Sequence, residues 1–311
     1  MRKILSITIV LASLSLQALA NPEMATAIKD GNLDLVNQLL VSIDPNGTNE
    51  EGATYLYMAS ENGNLPIVTA LVQKGAAINV KMPNCCDSST PLMVAAAEGR
   101  LDVVQYLLSQ KADPNILNGK GRTAIMFAAA YGYYEIAGAL ITAKANLNIV
   151  PPEGKNALML AIIGNFQQTA QLLLDNGANP NLTDAEGNTA LHIAARINTP
   201  EIAGMLLIKK AKVDIKNLNQ ETALHIAALS GHTNLVHVLL ENKANPNLQT
   251  PAGFTPLMFA AGYDYIDIAN NLLAHKARVD LKATNGWTAL QAATVSQNKE
   301  ITEALKKAGA Q

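Results

Sequence analysis

The side chains best suited to chemistry in this sequence of 311 residues are two cysteines and five histidines. Cys85 and Cys86 are adjacent, and a disulfide between neighbouring residues is strained and correspondingly easy to reduce. We weigh a vicinal disulfide or an intermolecular link against two inert thiols. Two cysteines alone cannot build a structural zinc site, and no H-x-x-x-H or H-E-x-x-H pair occurs. The sequence therefore predicts one candidate redox site and no metal site.

Enzyme signatures are missing from the sequence. There is no G-x-S-x-G, no P-loop and no G-x-G-x-x-G after a predicted strand. The acidic residues are scattered instead of paired for separate acid and base roles. We therefore expect a non-enzymatic protein that needs no cofactor.

Composition narrows the classes of partner. Hydrophobic residues make up 49% of the chain, charged residues 15% and aromatic residues 4%, and the formal charge is −2. A nucleic-acid groove or a polybasic membrane surface needs concentrated Lys and Arg, which this balance does not offer. We expect no nucleic-acid partner and a core built from Ala, Leu, Ile, Val and Met.

Residues 1–20 have the pattern of a secretory signal peptide. A basic start at Arg2 and Lys3 precedes an apolar run, residues 4–16, and the triplet Ala18-Leu19-Ala20. The run is shorter than the roughly 20 apolar residues that span a bilayer. We expect cleavage before Asn21, export to the periplasm or the outside, and no stable membrane insertion of the mature chain.

The rest of the chain, residues 21–311, is repetitive. A T-x-L-x-x-A element recurs after one step of 36 residues and then six steps of 33, beginning at Thr54, Thr90, Thr123, Asn156, Thr189, Thr222, Thr255 and Thr288. An earlier segment with the same pattern begins near Pro22. Nine units therefore start near residues 22, 54, 90, 123, 156, 189, 222, 255 and 288.

The residue pattern within each unit predicts a pair of helices. Thr is a favoured N-cap residue, and Pro91 and Pro256 follow it where proline is tolerated. A short Ala-rich helix, a turn and a second helix with paired aliphatic residues come next, followed by an Ala-x-x-Asn stretch. One pair cannot bury its apolar face alone, so the units must stack. The predicted fold is an all-α repeat solenoid of about nine helix-turn-helix units.

These features resemble the ankyrin-repeat family over the whole of residues 21–311. The period, the T-[AP]-L-[HM]-x-A element and the trailing Ala-x-x-Asn carry the resemblance, which implies β-hairpin-like loops between units.

Two positions of the repeat differ between the units of this chain. The position after T-x-L is His192 and His225 in two units, where an imidazole can lock neighbouring turns. Lysines often replace the glycine that ends the second helix: Lys111, Lys144, Lys210, Lys243 and Lys276.

The resemblance implies a concave groove formed by the loop tips and the first helices. Its side chains come from the residue before each cap and from the seventh and eighth residues after it, which we call the groove positions. Candidate partner-binding residues at these positions are Arg122, Tyr131, Lys155, Ile163, Arg196, Ile197, Leu229, Phe254, Tyr263 and Trp287. Aromatic and Arg side chains are frequent interface anchors. Phe254 and Trp287 either bind a partner or cap the last repeats. Tyr133, Phe166 and Tyr265 form either a second strip or contacts between repeats.

The sequence thus favours an exported, monomeric, non-enzymatic scaffold that binds a protein partner in this groove. One alternative is a periplasmic redox or stress accessory protein acting through Cys85 and Cys86. Another is a secreted factor acting on host proteins.

Overall fold

The computed structural model describes residues 21–82 and 86–311, so the predicted signal peptide and Cys85 lie outside the described residues. The chain divides into two compact units: unit 1 extends to residue 147, and unit 2 covers residues 148–311. The described residues form eighteen α-helices in nine pairs and no strands. Two isolated β-bridges, Thr48–Thr54 and Thr183–Thr189, close loops in front of first helices. The predicted all-α repeat fold is confirmed.

Unit 1 contains four helix pairs and a short 3-10 turn, Cys86–Ser88. The pairs are α1 Pro22–Lys29 with α2 Leu33–Leu39, α3 Tyr55–Asn62 with α4 Leu65–Gln73, α5 Pro91–Ala97 with α6 Leu101–Ser109, and α7 Ala124–Ala130 with α8 Tyr134–Thr142.

Unit 2 contains five helix pairs. These are α9 Ala157–Ile163 with α10 Gln167–Asp175, α11 Ala190–Ile197 with α12 Pro200–Ile208, α13 Ala223–Leu229 with α14 Thr233–Glu241, α15 Pro256–Gly262 with α16 Ile266–Ala274, and α17 Ala289–Val295 with α18 Lys299–Lys307.

The hydroxyl of the repeated Thr caps five of the first helices, those after Thr54, Thr90, Thr222, Thr255 and Thr288. The Thr255 hydroxyl accepts a hydrogen bond from the Met258 N–H at 3.3 Å, which satisfies one of the free donors of the first turn. Asn156 does the same for the Met159 N–H at 2.9 Å and Asn21 for the Met24 N–H at 2.9 Å, so the two units without Thr keep their caps. The position of the cap in turn fixes which residues reach the end of the helix.

Small side chains let the first helices pack closely. Ala194, Ala195, Ala227 and Ala228 are fully buried, and their helices α11 and α13 are in direct contact. The second helices bury paired aliphatic residues instead. This division of small and large side chains explains why the core needs few aromatic residues.

Five lysines occupy left-handed positions after second helices, as the sequence indicated. Their φ angles lie between 66° and 68°, at Lys111, Lys144, Lys210, Lys243 and Lys276. A left-handed conformation costs a non-glycine residue about 1–2 kcal/mol. A cation beside a helix C-terminus recovers part of this cost.

A ladder of Asn side chains ties each loop to the next repeat. Asn247 Nδ2 donates to the Lys276 carbonyl at 3.2 Å, and Asn247 Oδ1 accepts from the Arg278 N–H at 2.7 Å. Asn181 makes the same two bonds two periods earlier in the ladder, to Lys210 and Lys212. The Asn of each Ala-x-x-Asn stretch is therefore a structural link between repeats.

His192 and His225 connect repeats from within the core, as predicted. Both side chains are buried, and Nδ1 of each accepts from the backbone N–H of the Thr that caps its own helix. Burial lowers the pKa of His192, and it lowers the pKa of His225 to about 4. Both imidazoles are therefore neutral structural groups at pH 7.

Candidate protein-binding site

In unit 2 the C-terminal ends of successive first helices lie side by side. The Ser296 hydroxyl, just beyond α17, donates to the carbonyl of Ala261 in α15 at 3.1 Å. His232 Nδ1, just beyond α13, donates to the carbonyl of Ala195 in α11 at 2.9 Å. The groove positions at these helix ends therefore form a continuous row.

Each of the five repeats of unit 2 contributes one hydrophobic side chain to this row. The exposed fractions are 45% for Ile163, 37% for Ile197, 58% for Tyr263 and 66% for Val295, and Leu229 is half-buried. We call these five residues the unit 2 strip. Val295 was not among the residues singled out from the sequence, although it is the seventh residue after the cap Thr288 and the same rule identifies it.

The loops contribute a second edge beside the unit 2 strip. Lys155 and Trp287, each one residue before a cap, are exposed. Phe254 at the same position is half-buried, and its ring stacks on Phe259 with centroids 5.6 Å apart. Part of the Phe254 ring is thus used inside its own repeat, whereas Trp287 is 39% exposed.

Leu218 is a tip residue that the sequence reasoning missed. It lies four residues before the cap Thr222, its side chain is 72% exposed, and its N–H donates to the Glu186 carbonyl at 3.0 Å. An apolar residue among the polar residues of this loop was the available signal, but Leu218 falls outside the groove positions.

Basic side chains occur at the groove positions of the first two repeats of unit 2. Lys155 and Arg196 are both exposed. Arg196 Nη2 lies 3.5 Å from Asn188 Oδ1, a bond at the outer limit of hydrogen-bonding distance. The groove positions of the last two repeats carry no charged side chain. Those positions hold Phe254, Gly262, Tyr263, Trp287, Val295 and Ser296.

Unit 1 has a different surface at its groove positions. Tyr131 is 55% exposed, and Arg122 is half-buried. Glu61 and Glu98 occupy the helix-end positions of earlier repeats. Burial raises the pKa of Glu61, and the negative charges of Glu98 and Glu51 raise that pKa further. The groove positions of unit 1 are therefore more acidic than the unit 2 strip.

Tyr133 and Tyr265 join neighbouring repeats. A Cβ on Gly99 would lie 2.9 Å from Tyr133 Cζ, and a Cβ on Gly231 would lie 2.8 Å from Tyr265 Cζ. Each ring thus covers the inter-helix turn of the preceding repeat. Each also neighbours an exposed tyrosine, with ring centroids 5.9 Å apart in the Tyr131–Tyr133 pair. These contacts favour the interpretation of Tyr133 and Tyr265 as packing residues.

Phe166 packs against its own repeat. A Cβ on Gly164 would clash with the Phe166 ring, so the ring covers the end of its own first helix. This contact differs from those of Tyr133 and Tyr265, which reach back one repeat.

The part of the chain that the structure describes contains neither a candidate metal site nor a candidate membrane span. Within residues 21–82 and 86–311, no group of three His, Cys, Asp or Glu side chains is placed to hold a metal ion. The same residues include no helix long and apolar enough to cross a membrane. Of the two cysteines, only the backbone of Cys86 is described, at the start of the 3-10 turn, so the redox hypothesis stays a prediction from sequence.

Known proteins show the same repeats. The family "Ankyrin repeats (3 copies)" matches residues 24–118, 110–184 and 164–250, and "Ankyrin repeats (many copies)" matches residues 239–293. The chain is 38% identical over 106 residues to rat ankyrin repeat and SAM domain-containing protein 6, a match that covers 33% of this chain and 12% of that protein.

Two further relatives come from a yeast and a nematode. An ankyrin repeat-containing protein of Schizosaccharomyces pombe is 32% identical over 105 residues, covering 33% of this chain and 48% of that protein. BRCA1-associated RING domain protein 1 of Caenorhabditis elegans is 39% identical over 74 residues, covering 24% and 10%. The matches thus span less than half of each relative's length. Ankyrin repeats are generally modules of protein–protein interaction. With matches from residue 24 to residue 293, this chain belongs to the ankyrin-repeat family.

Proposed function

We propose that this protein is an exported, monomeric binding scaffold without enzymatic activity, and that it holds a protein partner against its groove positions. The observation that carries the proposal is the unit 2 strip. Of the eight exposed large hydrophobic residues in unit 2, five lie at groove positions: Ile163, Ile197, Tyr263, Trp287 and Val295. Contiguous exposed hydrophobic surface of this kind marks interaction sites in soluble proteins.

The chemistry of the strip fits the contact with a protein. Burying an exposed Ile or Val side chain is worth about 1.5–3 kcal/mol, so a few such side chains supply a useful binding energy. Tyr and Trp add large, rigid contact area and are common hot-spot residues. Of the two aromatic residues before the caps, Trp287 has more surface left for a partner than Phe254, whose ring stacks on Phe259.

Export is the second part of the proposal. It is supported by the basic, apolar and small-residue segments of residues 1–20, whose arrangement is typical of a signal peptide. Cleavage before Asn21 would leave the N-cap of α1 intact, since Asn21 Oδ1 accepts from the Met24 N–H at 2.9 Å. The Asn21 N–H donates to the Tyr55 hydroxyl at 3.0 Å, and a new terminal ammonium group would keep this donor. N-terminal sequencing of the protein from its native host tests this part: a first residue other than Asn21 contradicts it.

The binding part is tested by comparative capture from periplasmic and culture fractions. Wild-type protein is compared with a Tyr131→Ala, Tyr263→Ala variant and with a Tyr134→Ala control. Tyr134 is 43% exposed but lies outside the groove positions. We expect a partner that binds the wild type and the control and is lost with the double variant, while all three melt at similar temperatures. A partner that the double variant retains would show that the groove positions are not the binding site.

A further inference from the structure

The spacing and charge of the unit 2 strip carry an inference about the shape of its partner, which rests on the proposed function. We infer that the strip binds one amphipathic α-helix of the partner. The contacting face of that helix carries an apolar residue about every seventh position, and its acidic residues lie at the end nearest Lys155 and Arg196.

The first argument is the regular position of the strip residues. Ile163, Ile197, Leu229 and Val295 are each the last residue of a first helix, and Tyr263 directly follows the last residue of α15. Each of these helices contacts the next one. The strip is therefore a row with one side chain for each repeat.

The second argument is the distance between the steps. Packed helices lie about 8–10 Å apart. Seven residues of an α-helix rise about 10.5 Å. In an extended strand, side chains on one face recur about every 6.7 Å. Every second residue therefore falls short of the next repeat, and every fourth residue, at about 13 Å, lies beyond it. A helix therefore places one apolar side chain on each step. Four steps of seven residues join five apolar side chains, so the helix has about 29 residues and spans about 42 Å.

The third argument concerns how an extended peptide would be held. Such peptides gain affinity by pairing their backbone with an exposed strand edge. Unit 2 consists of helices and loops, and its only described β-bridge, Thr183–Thr189, lies within one loop. A helix satisfies its own backbone groups and needs only side-chain contacts, which is what the strip offers.

The charges give the helix a direction along the strip. Lys155 and Arg196 stand at the groove positions of the first two repeats of unit 2, the third repeat has Glu221 there, and those of the last two repeats are uncharged. A buried unpaired charge is costly, so the part of the helix over Tyr263, Trp287 and Val295 must be apolar. Acidic side chains over Lys155 and Arg196 complement the basic end and speed association at low salt.

The test uses a synthetic helical peptide of about 32 residues, long enough for five Leu at heptad spacing, without Trp or Tyr. It carries Leu at every seventh position with Ala beside it, Gln and Lys on the opposite side, and two Glu at one end. Trp287 is the only tryptophan in the chain, so its fluorescence reports binding directly. Two control peptides have the same length: one has two central residues replaced by Pro, and one has its sequence scrambled.

We expect the helical peptide to shift the Trp287 emission to the blue with micromolar affinity, and the two control peptides to bind at least 30-fold more weakly. Equal binding of the Pro-containing peptide would overturn the helical form of the partner. Failure of the helical peptide to bind at 100 μM would overturn the inference as well. The proposed function would survive that failure if capture of a native partner still depended on Tyr131 and Tyr263.

Matched variants locate the peptide on the protein. Ile163, Ile197 and Ile208 are each exposed and each the last residue of a helix, but Ile208 ends the second helix α12 and lies outside the strip. An Ile163→Ser, Ile197→Ser variant should weaken peptide binding at least 10-fold, and Ile208→Ser should leave it unchanged. Equal weakening by both variants would overturn the assignment to the strip.

Discussion

The Nε2 atom of His225 lies 3.0 Å from the backbone carbonyl oxygen of Leu248, in the loop that leads into the next repeat. Nδ1 of the same ring accepts from the Thr222 N–H at 3.2 Å, so Nε2 carries the proton and donates to Leu248. The imidazole is buried, and burial disfavours the charged, doubly protonated form. Repeat-to-repeat contact in unit 2 therefore depends on a neutral histidine.

Acidification should destabilise the protein through His225. The folded pKa is lowered to about 4, while an unfolded histidine titrates near 6.5. Below pH 6.5 His225 binds a proton in the unfolded chain but not in the folded chain. The free energy of unfolding therefore falls as the pH drops from about 6.5 to about 4. The expected loss in the free energy of unfolding is about 3 kcal/mol, measured by urea unfolding at several pH values.

A glutamine at position 225 provides the control for this pH dependence. Gln291 occupies the corresponding position in the last repeat, where its Oε1 accepts from the Thr288 N–H at 2.9 Å. A His225→Gln variant should therefore fold and should lose most of the dependence between pH 6.5 and 4, with the remainder due to His192. An unchanged pH profile in this variant would contradict the role of His225.

The Asn ladder should show graded losses of stability. Asn247→Ala removes the bonds to the Lys276 carbonyl and the Arg278 N–H, leaving both groups without their partner. We expect the free energy of unfolding to fall by about 1–3 kcal/mol. Asn247→Asp should cost less, because Asp214 at the corresponding position still accepts from the Asn245 N–H at 3.0 Å. An Asp variant less stable than the Ala variant would contradict this account.

Gly231 and Tyr265 give a test of the close contact between repeats. Gly231→Ala introduces a left-handed alanine, at φ 74°, and a Cβ 2.8 Å from the Tyr265 ring. Gly177→Ala is the matched control, since φ is 93° there and no atom lies within 4 Å of the added Cβ. Both changes strain the backbone by about 1–2 kcal/mol, and only Gly231→Ala should cost a further 1–3 kcal/mol, roughly, for the clash. Thermal unfolding of the two variants measures the difference, and equal melting temperatures would refute the contact.

The fold could be predicted from sequence because one local pattern recurs nine times. Cap, turn and paired aliphatic residues agree in each unit, so errors in one unit are corrected by the others. The left-handed conformation of Lys210 and Lys243 could also be predicted, since these residues replace glycine at a known position of the repeat. The buried role of His192 and His225 followed from the same comparison between units.

The candidate site was only partly predictable, because it depends on contacts across a whole repeat. The sequence left Tyr133 and Tyr265 undecided between a second strip and packing. The deciding partners, Gly99 and Gly231, lie 34 residues earlier in the chain. The exposure of Leu218 was not predicted either, because it depends on how its loop stacks on the preceding one at Glu186. Periodicity assigns a residue to a position, but only packing decides how much of it remains exposed.

Amide hydrogen exchange of the complex with the captured partner tests most directly whether the unit 2 strip is the contact surface. Binding should slow exchange at the C-terminal ends of α9, α11, α13, α15 and α17 and in the turns that follow them. Exchange around Ile208 and Lys210, beyond the second helix α12, should stay unchanged. Protection confined to the second helices, with none at the ends of the first helices, would contradict the account.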